Sequence, residues 1–130
     1  MQFLIDHNLI GELDLLTGAL HATGWLPLIE IQLITFSDAN LPYDLDDRSL
    51  WRFAQERGMI LLTENRNMDG PDSLEETMRR ECEATSLPVL TISSRRRLGD
   101  ANYRRRCAEK LIEIVIDLER YRGVSRIYIP

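Results

Sequence analysis

The chain has 130 residues, of which 44% are hydrophobic and 28% are charged, and its formal net charge is −5. This usage is that of an ordinary globular protein, which excludes a disordered chain, and the length suits one hydrophobic core. No apolar run is long enough to span a bilayer, and the first residues lack the basic segment of a signal peptide. We therefore expect one domain over residues 1–130, located in the cytoplasm and without membrane contact.

The N-terminal third predicts a strand, a helix and a second strand. Three apolar residues at 3–5 stop at Asp6, and Asp is poor in strands but good at helix starts. A helix should therefore begin at His7 or Asn8 and end at Gly24. Residues 28–36 are rich in Ile and Leu and predict a second strand. The first helix places four leucines at nearly helical spacing: Leu9, Leu13, Leu16 and Leu20.

The middle of the chain repeats this alternation. Residues 37–47 combine Asn, Pro and four aspartates, which is typical of a loop. Asp46 or Asp47 should cap a helix that Gly58 closes. Residues 59–62 are apolar and predict a third strand that ends at Thr63. A polar loop over residues 63–72 follows, and Asp72 or Ser73 should cap the next helix, which runs to about residue 84.

The C-terminal part predicts a fourth strand over residues 88–92, a basic loop over 93–99 and a long amphipathic helix over 101–120. Residues 124–129 can form a last strand. Strands that alternate with helices, and are apolar throughout, indicate a parallel sheet covered on both faces. The predicted fold class is thus α/β, a three-layer α/β/α sandwich with a mostly parallel sheet of four or five strands.

Acidic side chains gather where such a sheet would bind a ligand, beyond the carboxyl ends of its strands. Asp6 ends the first strand, Glu64 follows the third, and Asp47 begins the helix that leads into the third. Carboxylates that converge repel one another unless a cation relieves them, and Mg²⁺ or Mn²⁺ prefers such oxygen ligands. The alternative is that these residues only cap helices, as aspartates commonly do.

Three segments resemble, in order, the motifs of a family of small bacterial PIN-like proteins, which is related to the ribonuclease toxins of toxin–antitoxin pairs. Residues 3–9 read Phe-Leu-Ile-Asp-His-Asn-Leu, residues 47–54 read Asp-Arg-Ser-Leu-Trp-Arg-Phe-Ala, and residues 58–63 read Gly-Met-Ile-Leu-Leu-Thr. The resemblance covers about the first half of the chain. It implies a PIN-like α/β/α fold and a metal site built from carboxylates.

The chain departs from the family pattern after the third strand. The family places aspartates at the second and fourth positions after the strand-three Thr, where this chain has Asn65 and Asn67. Asn is a neutral and weaker ligand for Mg²⁺ than a carboxylate. Glu64 and Asp69 lie nearby in sequence and can compensate, or else the site has lost its metal.

Two hypotheses follow. In the first, the protein is an endoribonuclease dependent on Mg or Mn, of toxin type, with RNA as substrate and an antitoxin-like protein as partner. Its metal ligands are Asp6, Asp47 and Glu64, with Asp69 in reserve, while Asn8 and Asn65 orient ligands or water. In the second, the protein is a catalytically inactive PIN-like interaction module, a homodimer or bound to a partner protein. Convergence of the three carboxylates on one point favours the first hypothesis, and a basic side chain or Asn65 at that point favours the second.

Charge is unevenly distributed along the chain. Residues 1–78 carry a net charge of −10 and residues 79–130 a net charge of +5. Arginines at positions 95–97 and 104–106 can contact phosphates if they face the acidic edge, or can form a solvated surface. Tyr103 is the one aromatic residue near these runs in sequence, so base stacking has little support from the sequence.

Overall fold

A computed structural model of the protein describes residues 1–65 and 70–130. The strands formed by these residues are β1 (Gln2–Ile5), β2 (Gln32–Ile34), β3 (Ile60–Thr63), β4 (Val89–Ile92) and β5 (Arg126–Ile129). The helices are α1 (Leu13–Ala22), α2 (Asp47–Arg57), α3 (Leu74–Glu81), α4 (Ala101–Ile116) and α5 (Leu118–Tyr121). Two 3-10 helices cover His7–Glu12 and Arg96–Gly99.

The five strands of the described chain form one sheet in the order β2-β1-β3-β4-β5, and every pairing in it is parallel. The predicted α/β fold class is therefore confirmed, and the last strand completes the sheet. Both cysteines, Cys82 and Cys107, are free thiols, and burial raises the pKa of Cys107 to about 11.

Helices cover both faces of the sheet and produce three layers. Because side chains alternate along a strand, the strands β1, β3 and β4 each contribute buried residues to two cores. One core lies between the sheet and α1 and α4, and its strand residues include Phe3, Ile60 and Leu90. The other lies between the sheet and α2 and α3, and includes Leu4 and Leu61. Within residues 1–65 and 70–130, no helix is long and apolar enough to cross a membrane.

The ends of α2 and α3 follow from their sequences. Asp46 caps α2 by accepting a hydrogen bond of 2.9 Å from the backbone N–H of Ser49, and Ser73 caps α3 in the same way through Glu76. Gly58 ends α2 with a φ of 65°, a left-handed conformation that glycine adopts without strain. These caps fix where the two helices start relative to the strand ends.

Four predicted elements differ from the observed ones. The second strand is confined to Gln32–Ile34, because Leu28 and Ile29 donate their backbone N–H groups to the carbonyl of Trp25 in a turn. The first helix begins as a 3-10 turn, and α3 stops at Glu81 because Cys82 is extended. The long C-terminal helix breaks at Asp117, where the backbone leaves the helical conformation.

Candidate functional site

The candidate site lies where β1 and β3 end, at the carboxyl edge of the sheet. Asp6 directly follows β1, and its backbone N–H donates a hydrogen bond of 2.9 Å to the carbonyl of Leu62, which extends the pairing with β3. Glu64 and Asn65 follow β3. The parallel arrangement therefore brings these residues to one edge, as the sequence predicted.

Asp6 is held by the end of β3. Its Oδ2 atom accepts a hydrogen bond of 2.6 Å from the hydroxyl of Thr63, which is fully buried. Its Oδ1 atom caps the following 3-10 turn through the backbone N–H of Asn8, at 3.4 Å. Asp6 thus caps a turn and also belongs to a contact between two strands. Asn8 contributes backbone groups to this region.

Asp47 joins three elements at the same edge. Its Oδ2 atom accepts hydrogen bonds from the side-chain amide of Asn65 at 2.9 Å and from the backbone N–H of Leu74 at 3.2 Å. The cap of α2 is Asp46, so Asp47 is not needed for that role. Asn65 also donates its backbone N–H to the hydroxyl of Thr63 at 2.9 Å. Asp6, Thr63, Asn65 and Asp47 form one chain of hydrogen bonds, which we call the edge network.

Glu64 takes part in a separate group of charges. Its Oε1 atom lies 3.2 Å from Nη1 of Arg95, which follows β4, and the same nitrogen donates a hydrogen bond of 3.0 Å to the carbonyl of Asn8. Nε of Arg95 lies 3.8 Å from a carboxylate oxygen of Glu12. Sequence reasoning missed Glu12, which lies in the predicted first helix and had no strand-end signal. We call Arg95, Glu12 and Glu64 the Arg95 cluster.

A Mg²⁺ or Mn²⁺ ion needs several oxygen ligands around one point. Among residues 1–65 and 70–130, no three Asp, Glu, His or Cys side chains are grouped so that they could hold a metal ion. The described carboxylates each contact a different donor: Asp6 contacts Thr63, Asp47 contacts Asn65 and Glu64 contacts Arg95. These side chains therefore do not fit the implied metal as they are arranged. Asp69 and Asn67, which the sequence also singled out, lie outside the described residues.

Arg126 of β5 contacts the edge network at the carbonyl of Asn65. The sequence did not single out this residue. Its side chain is 6% exposed, and Nη1 donates to the backbone carbonyl of Asn65 at 2.7 Å and to the hydroxyl of Thr91. Its Nε donates to Glu75 in the first turn of α3. One buried guanidinium thus ties together the end of β3, β4 and α3. The available signal was a charged residue in an otherwise apolar last strand.

Three aromatic rings, those of Phe36, Tyr43 and His7, lie close together, and His7 directly follows Asp6. The ring centroids of His7 and Tyr43 are 5.5 Å apart with a tilt of 37°, and those of His7 and Phe36 are 6.1 Å apart. Phe36 is buried, whereas Tyr43 is 74% exposed. We call His7 and Tyr43 the aromatic shelf. Sequence reasoning missed it because Tyr43 lies in an irregular loop far from His7 in sequence.

The remaining arginines of the two runs mostly serve the start of α4. Arg104 donates hydrogen bonds of 3.0 Å to the carbonyls of Leu98 and Gly99, and the guanidinium of Arg97 lies 4.6 Å from the ring centre of Tyr103. Arg105 lies 3.5 Å from Glu109, one turn further along the helix. These contacts account for Arg97, Arg104 and Arg105 as packing and surface charge around the start of α4.

Ser49 alters the titration of Asp46, the carboxylate that caps α2. The hydroxyl of Ser49, at 3.0 Å, and its backbone N–H both donate to this carboxylate and lower its pKa below the ordinary value of 3.8. Asp72, the other predicted cap, instead lies 2.9 Å from Arg48. Both residues therefore act locally at helix starts.

No protein-family model matches the chain, and neither a curated protein nor a solved structure matches it. The function must therefore be inferred from the carboxyl edge itself. The edge network contains Asp6, the aromatic shelf contains His7, and Arg95 of the Arg95 cluster contacts the Asn8 carbonyl, so all three adjoin residues 6–8.

Proposed function

We propose that the chain is a PIN-like domain that acts as a non-hydrolytic interaction module and binds its partner at the carboxyl edge of the sheet. The observation that supports this proposal is the use of Asn65 and Arg95 as partners of Asp47 and Glu64. In a hydrolytic metal centre these carboxylates would face a common cation. Here the donors of the protein itself take that place.

The two contacts oppose metal binding for electrostatic reasons. An amide N–H that points at Asp47 Oδ2 carries a partial positive charge, so a cation on the same oxygen requires the Asn65 side chain to turn away. Arg95 is permanently charged and would repel a divalent ion near Glu64. A metal would have to displace both groups before three carboxylates could act together.

A Mg²⁺- or Mn²⁺-dependent endoribonuclease is the second candidate function. The observation that favours it is the edge network, since three hydrogen bonds connect Asp6 to Asp47 through Thr63 and Asn65. Under this proposal RNA is the substrate, Asp69 joins the ligands, and an antitoxin-like protein controls the activity. Both proposals use the same residues, and a measurement of metal binding distinguishes the two proposals.

The deciding experiment is calorimetric titration of Mg²⁺ and Mn²⁺ into the wild type, Asp6→Ala and Arg95→Gln, with RNA cleavage assays on the same samples. Asp44→Ala is the control, because Asp44 is an exposed carboxylate of a neighbouring loop. We expect no metal binding by the wild type at millimolar ion and no cleavage. Metal binding that Asp6→Ala abolishes and Asp44→Ala retains, together with cleavage, would replace the module by the nuclease.

We also propose that the module is a homodimer that uses the α1 and α4 helices. Exposed apolar side chains flank the groove between these helices: Leu15 at 41%, Trp25 at 46% and Ile116 at 54%. The groove is lined by Asp14 and Glu109 and also by Arg105, so its charges can pair with those of a second copy about a two-fold axis. Sedimentation velocity should give a dimer that Trp25→Ser shifts to monomer, with Tyr128→Ser as the control.

A further inference from the structure

The strand β2 has a free edge. Among the described residues it is the outermost strand on its side of the sheet, so one of its edges has no neighbouring strand. The carbonyl of Glu30 accepts a hydrogen bond from the ammonium group of Met1, and Gln32 donates its backbone N–H to the Met1 carbonyl. Backbone groups of successive strand residues point to alternate sides, so those of Ile31 and Leu33 point away from β1. The free edge therefore presents the N–H and C=O groups of two residues.

A cavity of about 210 Å³ lies between this edge and α1. Its apolar wall includes Leu20 of α1, Leu26, Ile31 and Leu33. Ile31 and Leu33 pack against the core under α1, so the residues with outward backbone groups also line the cavity. Between them in sequence, the exposed Gln32 lies on the opposite face of the sheet. A strand added at this edge would thus meet apolar groups on one face and a polar amide on the other.

The surroundings of this edge are acidic. Residues 1–47, which include α1 and β2, contain eight Asp and Glu residues and no Lys or Arg. Asp14 lines the cavity, Glu30 comes shortly before β2, and Asp38 accepts a hydrogen bond of 3.0 Å from the backbone N–H of Thr35 after β2. In residues 1–65 and 70–130, none of these three carboxylates pairs with a basic side chain. The ammonium group of Met1 balances one of these charges, so the groove stays negative and attracts cations.

We propose that β2 binds an extended basic segment of a partner protein, which adds a strand to the sheet and inserts one apolar side chain into the cavity. A row of backbone groups at a strand edge is satisfied by another extended chain, whereas the backbone groups of a helix bond within the helix. The cavity is smaller than the roughly 300–1,000 Å³ of a small-molecule pocket, so it suits a single side chain. This surface lies at the side of the sheet and is independent of the carboxyl edge.

The test is fluorescence anisotropy of a labelled nonapeptide that alternates basic and apolar residues, Lys-Val-Arg-Leu-Lys-Val-Arg-Leu-Lys, added to the whole chain. A second nonapeptide with Glu at every basic position is the charge control. We expect the basic peptide to bind, with an affinity that falls as salt is added, because exposed charges are screened. The acidic peptide should bind at least tenfold more weakly.

Two N-methylated versions of the basic peptide test the backbone contacts without any change to the protein. One version is methylated at the amides of the apolar residues and the other at the amides of the internal basic residues. Amides of alternate residues lie on opposite edges of an extended peptide, and only one edge can pair with β2. One version should therefore lose binding while the other keeps it.

Thr17 tests the cavity, because it lines the cavity from α1 and is only partly buried. Thr17→Phe fills the space that the apolar side chain of the peptide needs. We expect it to weaken binding about 10- to 100-fold, the loss that follows when one leucine-sized side chain is no longer buried. Thr17→Val keeps the volume of the side chain and should bind like the wild type.

The carboxylates give a smaller effect. Asp14→Asn and Glu30→Gln should each weaken binding of the basic peptide about 1.5- to 5-fold, as for the loss of one exposed ion pair. Both variants should also reduce the salt dependence. Glu56→Gln is the matched control, because Glu56 is an exposed carboxylate of α2 on the other face of the sheet. Its affinity and salt dependence should equal those of the wild type.

Four outcomes would overturn the proposal. These are no binding of the basic peptide at millimolar concentration, equal binding of the acidic peptide, equal behaviour of the two methylated peptides, or unchanged binding by Thr17→Phe with a native circular dichroism spectrum. If the basic peptide does not bind and Thr17→Phe also lowers the sedimentation coefficient to that of a monomer, a second copy of the chain occupies the groove instead.

Discussion

The two faces of the sheet differ in chemistry although the same strands form both. On the α1 and α4 face, the strand side chains that point inward are apolar along their whole length, from Phe3 to Ile129. On the α2 and α3 face, apolar residues such as Leu61 and Val89 give way at the strand ends to Thr63 and Thr91, both fully buried. Arg126 contributes the buried charge of this second face.

This difference shows how the fold separates stability from the site. The apolar face needs only shape and area, and any polar atom there would lose its contact with water. On the other face, the buried hydroxyl of Thr63 forms hydrogen bonds that connect it to Asp6 and, through Asn65, to Asp47. Strand ends on that face thus carry the edge network, while the opposite side of each strand anchors the domain.

The largest expected effect is on the apolar face. Phe3→Ala removes a fully buried ring from the core under α1 and α4 and should lower the free energy of unfolding by about 3–5 kcal/mol. Urea unfolding followed by circular dichroism measures it, and Phe3→Leu should lose clearly less. A loss below about 1 kcal/mol would show that the core repacks around the cavity.

The next effect concerns the buried charge of the second face. Arg126→Met should cost about 2–3 kcal/mol, below the roughly 3–5 of a fully buried pair, because Glu75 is one-third exposed. The variant leaves Glu75, Thr91 and the Asn65 carbonyl without their shared donor. The double variant with Glu75→Met should recover part of the loss. No recovery would mean that the Asn65 and Thr91 contacts dominate.

Most strands and helices could be predicted from the sequence because each ends at a residue that disfavours its continuation. Asp6 ends β1 in this way, and Gly58 ends α2. Residues 28–31 were the exception. Their Ile and Leu content favours a strand, but Leu28 and Ile29 donate their backbone N–H groups to the Trp25 carbonyl in a local turn. Propensity alone cannot detect that competition.

The sequence predicted which residues lie at the site, because it predicted where the strands end. The rule for parallel sheets placed Asp6, Glu64 and Asn65 at one edge. It could not say which donor each carboxylate would find, since Arg95 and Glu64 are far apart in sequence and meet only because β3 and β4 are neighbours. Arg126 and Tyr43 were missed for the same reason, because their partners are contributed by other elements.

A smaller effect should follow from one hydroxyl of the edge network. Thr63→Val keeps the shape but leaves Asp6 Oδ2 and the N–H of Asn65 without their partner, at a cost of about 1–3 kcal/mol. Thr63→Ser retains the hydroxyl and should stay closer to the wild type. Chemical denaturation of the three proteins checks the order, and a valine variant as stable as the wild type would contradict it.

The smallest effect belongs to the cap of α2. Asp46→Ala should lower the free energy of unfolding by about 1 kcal/mol at pH 7, whereas Asp44→Ala should change little. The Ser49 contacts lower the pKa of Asp46 in the folded state, so its contribution is present above the ordinary value of 3.8 and is lost as pH falls below it. Unfolding at neutral pH and below about pH 3 should show this difference vanish, and a constant difference would refute the ionic cap.

The all-parallel sheet also has a consequence for how the chain folds. No described strand pairs with another across a tight hairpin, and the paired residues are 28 to 57 positions apart, as in Leu62 with Leu90 and Phe3 with Ile60. Each pairing requires closure of a long loop, whose entropy is lost before any strand contact compensates for it. Mixed α/β chains dominated by such distant contacts fold more slowly than helical bundles. Until β1 and β3 pair, the Asp6 carboxylate and the Thr63 hydroxyl remain solvated, so the edge network forms only after the longest of these loops has closed.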